Sequence, residues 1–260
     1  MKILTFCVMS ALALTAASSA FAADANKAAV TRDFTDTVEP AQQQAYEAGV
    51  KAYNQCLRDH GVKYDEYTVT HETGDDTYKY SSDIGPYIWA DFDALDAAAK
   101  PCSATWHTKA NPYLKSESSV FMVDQSDMSH MPADWEKQAP PALLNVIYYT
   151  LKPGHEAMTA FTDAAKKIAA AAAKSKWPYY FRALQVRGGD AGAPDYVLVI
   201  PEKSWADYGT EPSPSLWKMV ESAYGKADTA ALRKSLNDSI KDSSSHVDRY
   251  SADLSYIAGK

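Results

Sequence analysis

The sequence predicts an α+β fold built from two copies of one βαββαβ unit, and two observations carry that reading. Three short anchors recur in the same order. Thr37-Val38-Glu39-Pro40 returns as Thr150-Leu151-Lys152-Pro153, Gly74-Asp75 as Gly189-Asp190, and Trp89-Ala90-Asp91-Phe92 as Trp205-Ala206-Asp207-Tyr208. Their offsets of 113, 115 and 116 residues drift only as small loop changes would make them drift. In addition, the hydrophobic pattern of each copy switches between strand and helix periods in one order: strand, helix, strand, strand, helix, strand.

The second copy is the clearer. Leu143 to Leu151 is a β-rich run through Val146, Ile147, Tyr148 and Tyr149, stopped by Pro153-Gly154. His155 to Lys176 places Met158, Phe161, Ala165 and Ile168 at helical spacing among alanines, the best helix formers, and Pro178 closes it. Tyr179 to Arg187 and Tyr196 to Ile200 form a hairpin across Gly188-Gly189-Asp190. Leu216 to Ile240 is an amphipathic helix with a break expected near Gly225, and Val247 to Ile257 is the expected last strand. In the first copy, Thr31 to Val38 is a strand and Gln42 to His60 a helix with Tyr46, Val50, Tyr53 and Leu57 on one face. Lys63 to Glu72 and Tyr78 to Ala90 form a hairpin across Gly74-Asp75-Asp76. Phe92 to Tyr113 holds a shorter helix interrupted at Pro101, and Ser119 to Asp124 closes the copy.

This element order is the split βαβ, or ferredoxin-like, unit. Two such units in one chain resemble the dimeric α+β barrel superfamily, here as a single-chain pseudo-dimer. The resemblance implies two four-stranded sheets, each with its helices on one face, whose bare faces meet to form a barrel. It divides the chain into a first repeat over 23–124, a linker over 125–141 and a second repeat over 142–260. Since both halves lie in one chain, a monomer with internal pseudo-twofold symmetry is the expected complete unit.

The N-terminus reads as a secretory signal. Lys2 precedes an apolar run from Ile3 to Leu14, and Ala20-Phe21-Ala22 is a small-x-small cleavage site, so residues 1–22 are expected to be removed after Ala22. The run is shorter than the roughly 20 residues a permanent membrane helix needs. A periplasmic or secreted bacterial protein is expected, with no later membrane anchor. Acidic residues outnumber basic ones by 33 to 26 for a net charge of −7, which excludes a phosphate-neutralising nucleic-acid binder. Past the signal only Cys56 and Cys102 remain, and an oxidising compartment favours one disulfide between them. Cys56 falls late in the first helix and Cys102 early in the second. A split βαβ unit lays those helices antiparallel on one sheet face.

No motif identifies a reaction, and whether the chain is an enzyme is left open. There is no Gly-x-Ser-x-Gly elbow, and Gly188-Gly189 precedes a strand rather than a helix, so it is no phosphate loop. The six histidines show no metal-ligand spacing, and no metal is expected; the weak candidates are His107, beside Trp106, and the linker group Met128, His130 and Met131, whose soft thioethers suit copper. No cofactor is expected from the residues, although the superfamily includes haem-using members. The Trp-Ala-Asp anchors read as structural, with the indole capping the layers and the Asp capping the helix that follows. Polar residues within strands are the unusual feature: Arg182, Asp248, Arg249 and Asp253. Charges there must pair or reach water. With Tyr180 and Tyr250 as walls, Arg182, Arg249 and Asp253 are the candidate ligand-binding residues. The function expected is binding of a small molecule or protein partner in or beside the barrel. The alternative is a monooxygenase-like or haem-dependent enzyme of the same architecture.

Overall fold

The computed structural model describes residues 29–259, so the expected signal segment lies outside the described residues. The strands are β1 (Val30–Val38), β2 (Glu66–His71), β3 (Lys79–Tyr87), β4 (Leu114–Asp124), β5 (Leu143–Leu151), β6 (Arg182–Arg187), β7 (Tyr196–Glu202) and β8 (Ile240–Tyr250). They close into one barrel in the order β1-β3-β2-β8-β5-β7-β6-β4, with every neighbour antiparallel. Within each half the order is fourth, first, third, second strand. The halves join at two equivalent seams, each pairing the second strand of one half with the fourth strand of the other. Closure leaves neither sheet with an unpaired edge.

The helices lie outside the barrel. In the first half these are α1 (Gln43–Asp59), α2 (Phe92–Ala99) and α3 (Ser103–Lys109). The second half carries α4 (His155–Ser175), α5 (Trp205–Tyr208), α6 (Leu216–Tyr224) and α7 (Lys226–Ser239). α1 buries Tyr46 and Val50 against Tyr80 of β3 and the end of α3, and Leu57 against Tyr64, Cys102 and Tyr256. Gly49 is what permits that crossing, because a Cβ there would sit 2.1 Å from the Lys109 carbonyl oxygen. α4 buries Phe161, Ala164, Ile168 and Ala172 and ends where Lys176 turns left-handed (φ 52°) ahead of Pro178. Gly225 (φ 82°) separates α6 from α7, as its position in the sequence suggested.

The helix expected over Phe92 to Tyr113 is interrupted at Pro101 as expected: two short helices are joined by a 3-10 turn at Lys100–Cys102, where Pro101 forfeits a backbone donor. Cys102 is fully buried there and is bonded to Cys56, with Cα atoms 5.8 Å apart. β4 begins at Leu114 rather than Ser119, and β6 begins at Arg182 rather than Tyr179. The last strand differs most. It runs from Ile240 to Tyr250, where the expectation was Val247 to Ile257. Lys241 to Ser245 shows no apolar alternation and its side chains are exposed. The stretch is a strand because β5 would otherwise present unpaired backbone groups; Tyr149 pairs with Ser243 and Ile147 with Ser245. Asp253 consequently lies beyond the strand, exposed, in an ion pair with Lys51.

The residues after β8 turn back over the first half. Leu254 and Tyr256 are buried in its cores, Asn54 Nδ2 donates to the Leu254 carbonyl, and Tyr256 Oη donates to the Val62 carbonyl. The anchor aspartates do not cap from the first position. Each sits inside the turn and reaches back, Asp91 accepting from the Ile88 N–H and Asp207 from the Lys203 N–H, both at 3.2 Å.

Candidate functional site

Strand alternation assigns each side chain to one of two places, the layer between sheet and helices or the barrel lumen. On β1, Asp36 meets Tyr46 of α1, so Phe34 and Val38 also face helices, while Thr31, Asp33 and Thr35 face inward. Each half then has a cleft in its sheet–helix layer.

The larger cleft, about 540 Å³, belongs to the second half. Its walls are Tyr149, Tyr196 and Leu198 of the sheet and Phe161, Ala165 and Ile168 of α4, with Trp177 and Leu216 closing one side. α4 reaches it through Phe161, Ala165 and Ile168, and the small Ala165 leaves room between the two larger side chains. Tyr180 and Tyr208, 38% and 44% exposed, stand at the mouth beside Glu202, Lys203, Asp207 and Glu211. Burial, and then the charge of Asp207, push the Glu202 carboxyl upward.

The equivalent cleft of the first half is smaller, about 200 Å³, and polar. Arg32, Asp36, Tyr53, Tyr64, Glu66 and Trp106 line it. Burial pushes Asp36 up to about 7, against the hydrogen bond from Tyr46 Oη at 2.5 Å. Glu66 is likewise pushed up to about 7, by burial and then by the charge of Asp36.

The lumen divides into an apolar side and a polar side. Met122, Leu144, Val146, Leu184, Val186, Val197 and Val199 pack together on the apolar side. On the polar side Asp33 and Asp83 are register partners across β1 and β3. Burial, and then the charge of Asp83, hold Asp33 well above the usual carboxylate range; burial also raises Asp83 while Arg182 opposes it. Thr35 Oγ1 donates to Asp33 Oδ1 at 3.2 Å and lies 3.3 Å from Ser81 Oγ, which is 3.1 Å from His71 Nε2. His71 and His246 stack with ring centres 4.2 Å apart, and Asp248 lies beside both.

The candidate residues from the sequence are dispersed. Tyr180 alone lines the large cleft. Arg182 binds Asp124 through Nε at 2.7 Å and through its terminal nitrogen, and it stacks over Trp135. Arg249 faces outward to Glu72 at 2.6 Å, whereas Tyr250 lies near Tyr67 across the seam. Among the weak metal candidates, His107 is exposed on α3 and Met128 is buried at the floor of the large cleft. His130 Nε2 lies 2.9 Å from the Trp177 carbonyl, and Met131 is partly buried beside it in sequence. The residues that sequence reading missed are Asp33, Asp83, His71 and His246. His246 and Asp248 stand two apart, the spacing that puts both on one strand face, but His71 is far away in the chain and only the closed barrel brings it alongside.

No family model matches the chain, and no curated protein matches it by sequence. Its fold does match solved structures. A proposed monooxygenase from Lactobacillus acidophilus superposes with a TM-score of 0.53 at 9% identity, covering 90% of this chain and 98% of that one. An anthrone oxidase-like protein gives 0.52 at 12% identity, over 90% and 94%. A variant of chlorite dismutase from Candidatus Nitrospira defluvii gives 0.51 at 11%, over 87% and 93%. The chain therefore has the dimeric α+β barrel fold, with both halves supplied by one polypeptide. Among the described residues no helix is long and apolar enough to cross a membrane.

Of the side chains that ordinarily hold haem iron, the large cleft exposes only tyrosines among the described residues. No histidine or cysteine among the described residues lines it, and its thioether, Met128, is 1% exposed. At the mouth Glu202, Asp207 and Glu211 face only Lys203, the wrong charge balance for haem's carboxylates.

Proposed function

We propose that the protein acts after export, as a monomer, by binding a flat, largely apolar small molecule in the cleft between β5–β7 and α4. The observation that carries this is the cleft itself. Its volume of about 540 Å³ lies in the range of ligand sites, roughly 300–1,000 Å³, and its walls are mainly aromatic and aliphatic, with the charged groups at the mouth. Three carboxylates against one lysine at that mouth favour a ligand whose exposed end is neutral or cationic. The test is titration with Nile red, a neutral flat fluorophore, against the mature chain and the Ala165→Phe variant, which fills the cleft from α4. Saturable fluorescence enhancement at one equivalent, lost in the variant, supports the reading. Equal enhancement in both proteins refutes it.

A second reading rests on the small cleft. Asp36 and Glu66, both held near neutrality beside Arg32 and Trp106, are placed as general bases at the pH where a base is most effective. Similarity in fold to an anthrone oxidase-like protein makes anthrone the first substrate to try. Oxygen uptake with anthrone that falls in both Asp36→Asn and Glu66→Gln supports this reading, and uptake no faster than without protein removes it.

A further inference from the structure

Across the seam between β2 and β8, His71 and Asp248 are direct register partners, and His246 precedes Asp248 by one inward-facing position. All three side chains point into the lumen and are almost wholly buried, at 2%, 6% and 4% exposure respectively. One ligand atom from each lies within 4.8 Å of the others. Asp248 Oδ1 is 2.9 Å from His246 Nε2 and 3.7 Å from His71 Nε2. Two donors about 2.0–2.1 Å from one tetrahedral ion are about 3.3 Å apart, and the observed separations bracket that value.

Close as they are, His246 Nε2 and Asp248 Oδ1 make no hydrogen bond with each other or with any other described residue. The pair can act as an ion pair when the His246 ring is protonated, but a group set between the two atoms would satisfy both at once. The charge around them points the same way. Asp33, Asp83, Asp124 and Asp248 surround the polar side of the lumen, where Arg182 bonds Asp124 and also bears on Asp83. Buried carboxylates require a cation or protons.

We propose that His71, His246 and Asp248 form a site for one divalent first-row transition-metal ion inside the barrel. Two imidazoles and one carboxylate suit zinc, cobalt or copper rather than calcium or magnesium, which prefer all-oxygen shells. Ser81 Oγ, 3.1 Å from His71 Nε2, stands next to the set. The ion would clip the halves together where the backbone seam is shortest, since β2 and β8 share only three register pairs. This site is separate from both clefts and independent of what they bind.

The test uses the mature chain produced with Zn2+ or Co2+ in the medium, then gel-filtered and analysed for metal. One equivalent of metal, and visible d–d absorption in the Co2+ form, are expected. His246→Gln and Asp248→Asn should each weaken Zn2+ binding by at least about 10–100-fold, the loss that removing even an outer-shell partner causes. The double variant His107→Ala/His155→Ala, which removes exposed histidines, should bind as the wild type does. Saturating Zn2+ should raise Tm by roughly 5–10 °C. A wild-type chain holding no metal, lumen variants that bind as well as wild type, or loss of binding in the exposed-histidine variant would each overturn the proposal. If either lumen variant fails to fold, electron paramagnetic resonance of the Cu2+-loaded exposed-histidine variant decides. Hyperfine coupling to two nitrogens supports the site, and a spectrum of oxygen ligands alone refutes it.

Discussion

Replacing Asp36 by asparagine should make the protein more stable at pH 8 and change it little at low pH. Asp36 is 4% exposed, it accepts from Tyr46 Oη through Oδ2, and its Oδ1 has no hydrogen-bond partner among the described residues. Its carboxyl moves from an ordinary 3.8 to about 7 on folding, chiefly through burial. The folded state therefore prefers the protonated acid. The stability this group contributes is complete below pH 4 and is lost as pH rises to about 7, at about 1.4 kcal/mol per pH unit. The whole interval costs about 4 kcal/mol, of which about 2 kcal/mol develops between pH 5.5 and 8. Asparagine keeps an oxygen for Tyr46 and carries no charge at any of these pH values. Urea denaturation of both proteins at pH 5.5 and 8, followed by circular dichroism, isolates the effect. The difference in unfolding free energy should swing by about 2 kcal/mol toward the variant at the higher pH. Asp83, which is not raised by Asp36, cancels in that comparison, whereas Glu66 and Asp33 lose the repulsion of Asp36 in the variant and add to the swing in the same direction. A difference that stays constant to within about 0.5 kcal/mol would refute the assignment of a buried, protonated Asp36.

Removing the disulfide by Cys56→Ala/Cys102→Ala opens a constraint spanning 46 residues, which the chain-entropy model values at about 4 kcal/mol, read as a lower urea midpoint. Non-reducing mass spectrometry of the wild type should show no free thiol at either position. Gly49→Ala should cost about 3 kcal/mol or more, because the new methyl group meets the backbone of α3 rather than a movable side chain; a thermal melt unchanged from wild type would contradict the close α1–α3 crossing. Tyr256→Ala removes a ring that is 1% exposed together with its bond to the Val62 carbonyl, and should cost about 3–5 kcal/mol. Since both seams close within one chain, light scattering should give the mass of a single mature chain, and an obligate dimer would contradict internal closure.

The local pattern of the chain determined its elements. The β-branched and aromatic run of β5, the alanine-rich α4 and the punctuation at Pro178 and Gly225 appear where periodicity and turn chemistry place them. The repeated anchors Trp89-Ala90-Asp91 and Trp205-Ala206-Asp207 located a helical turn in each half, where the aspartate accepts from a backbone N–H three or four residues before it. The pairing of Cys56 with Cys102 was legible from element order, which puts their helices side by side. The first half of β8 was not legible: Lys241 to Ser245 has no strand signal of its own and becomes a strand only through the hydrogen bonds that β5 requires. The clefts depend on how far α4 and α1 stand from their sheets, a distance set by packing rather than by any one residue. Closure of the barrel makes His71 and Asp248 neighbours, although no local signal in the chain links β2 to β8. Sequence periodicity records which face a side chain takes, but which strands meet is decided by the free energy of pairing every edge at once. That term exists only in the tertiary structure.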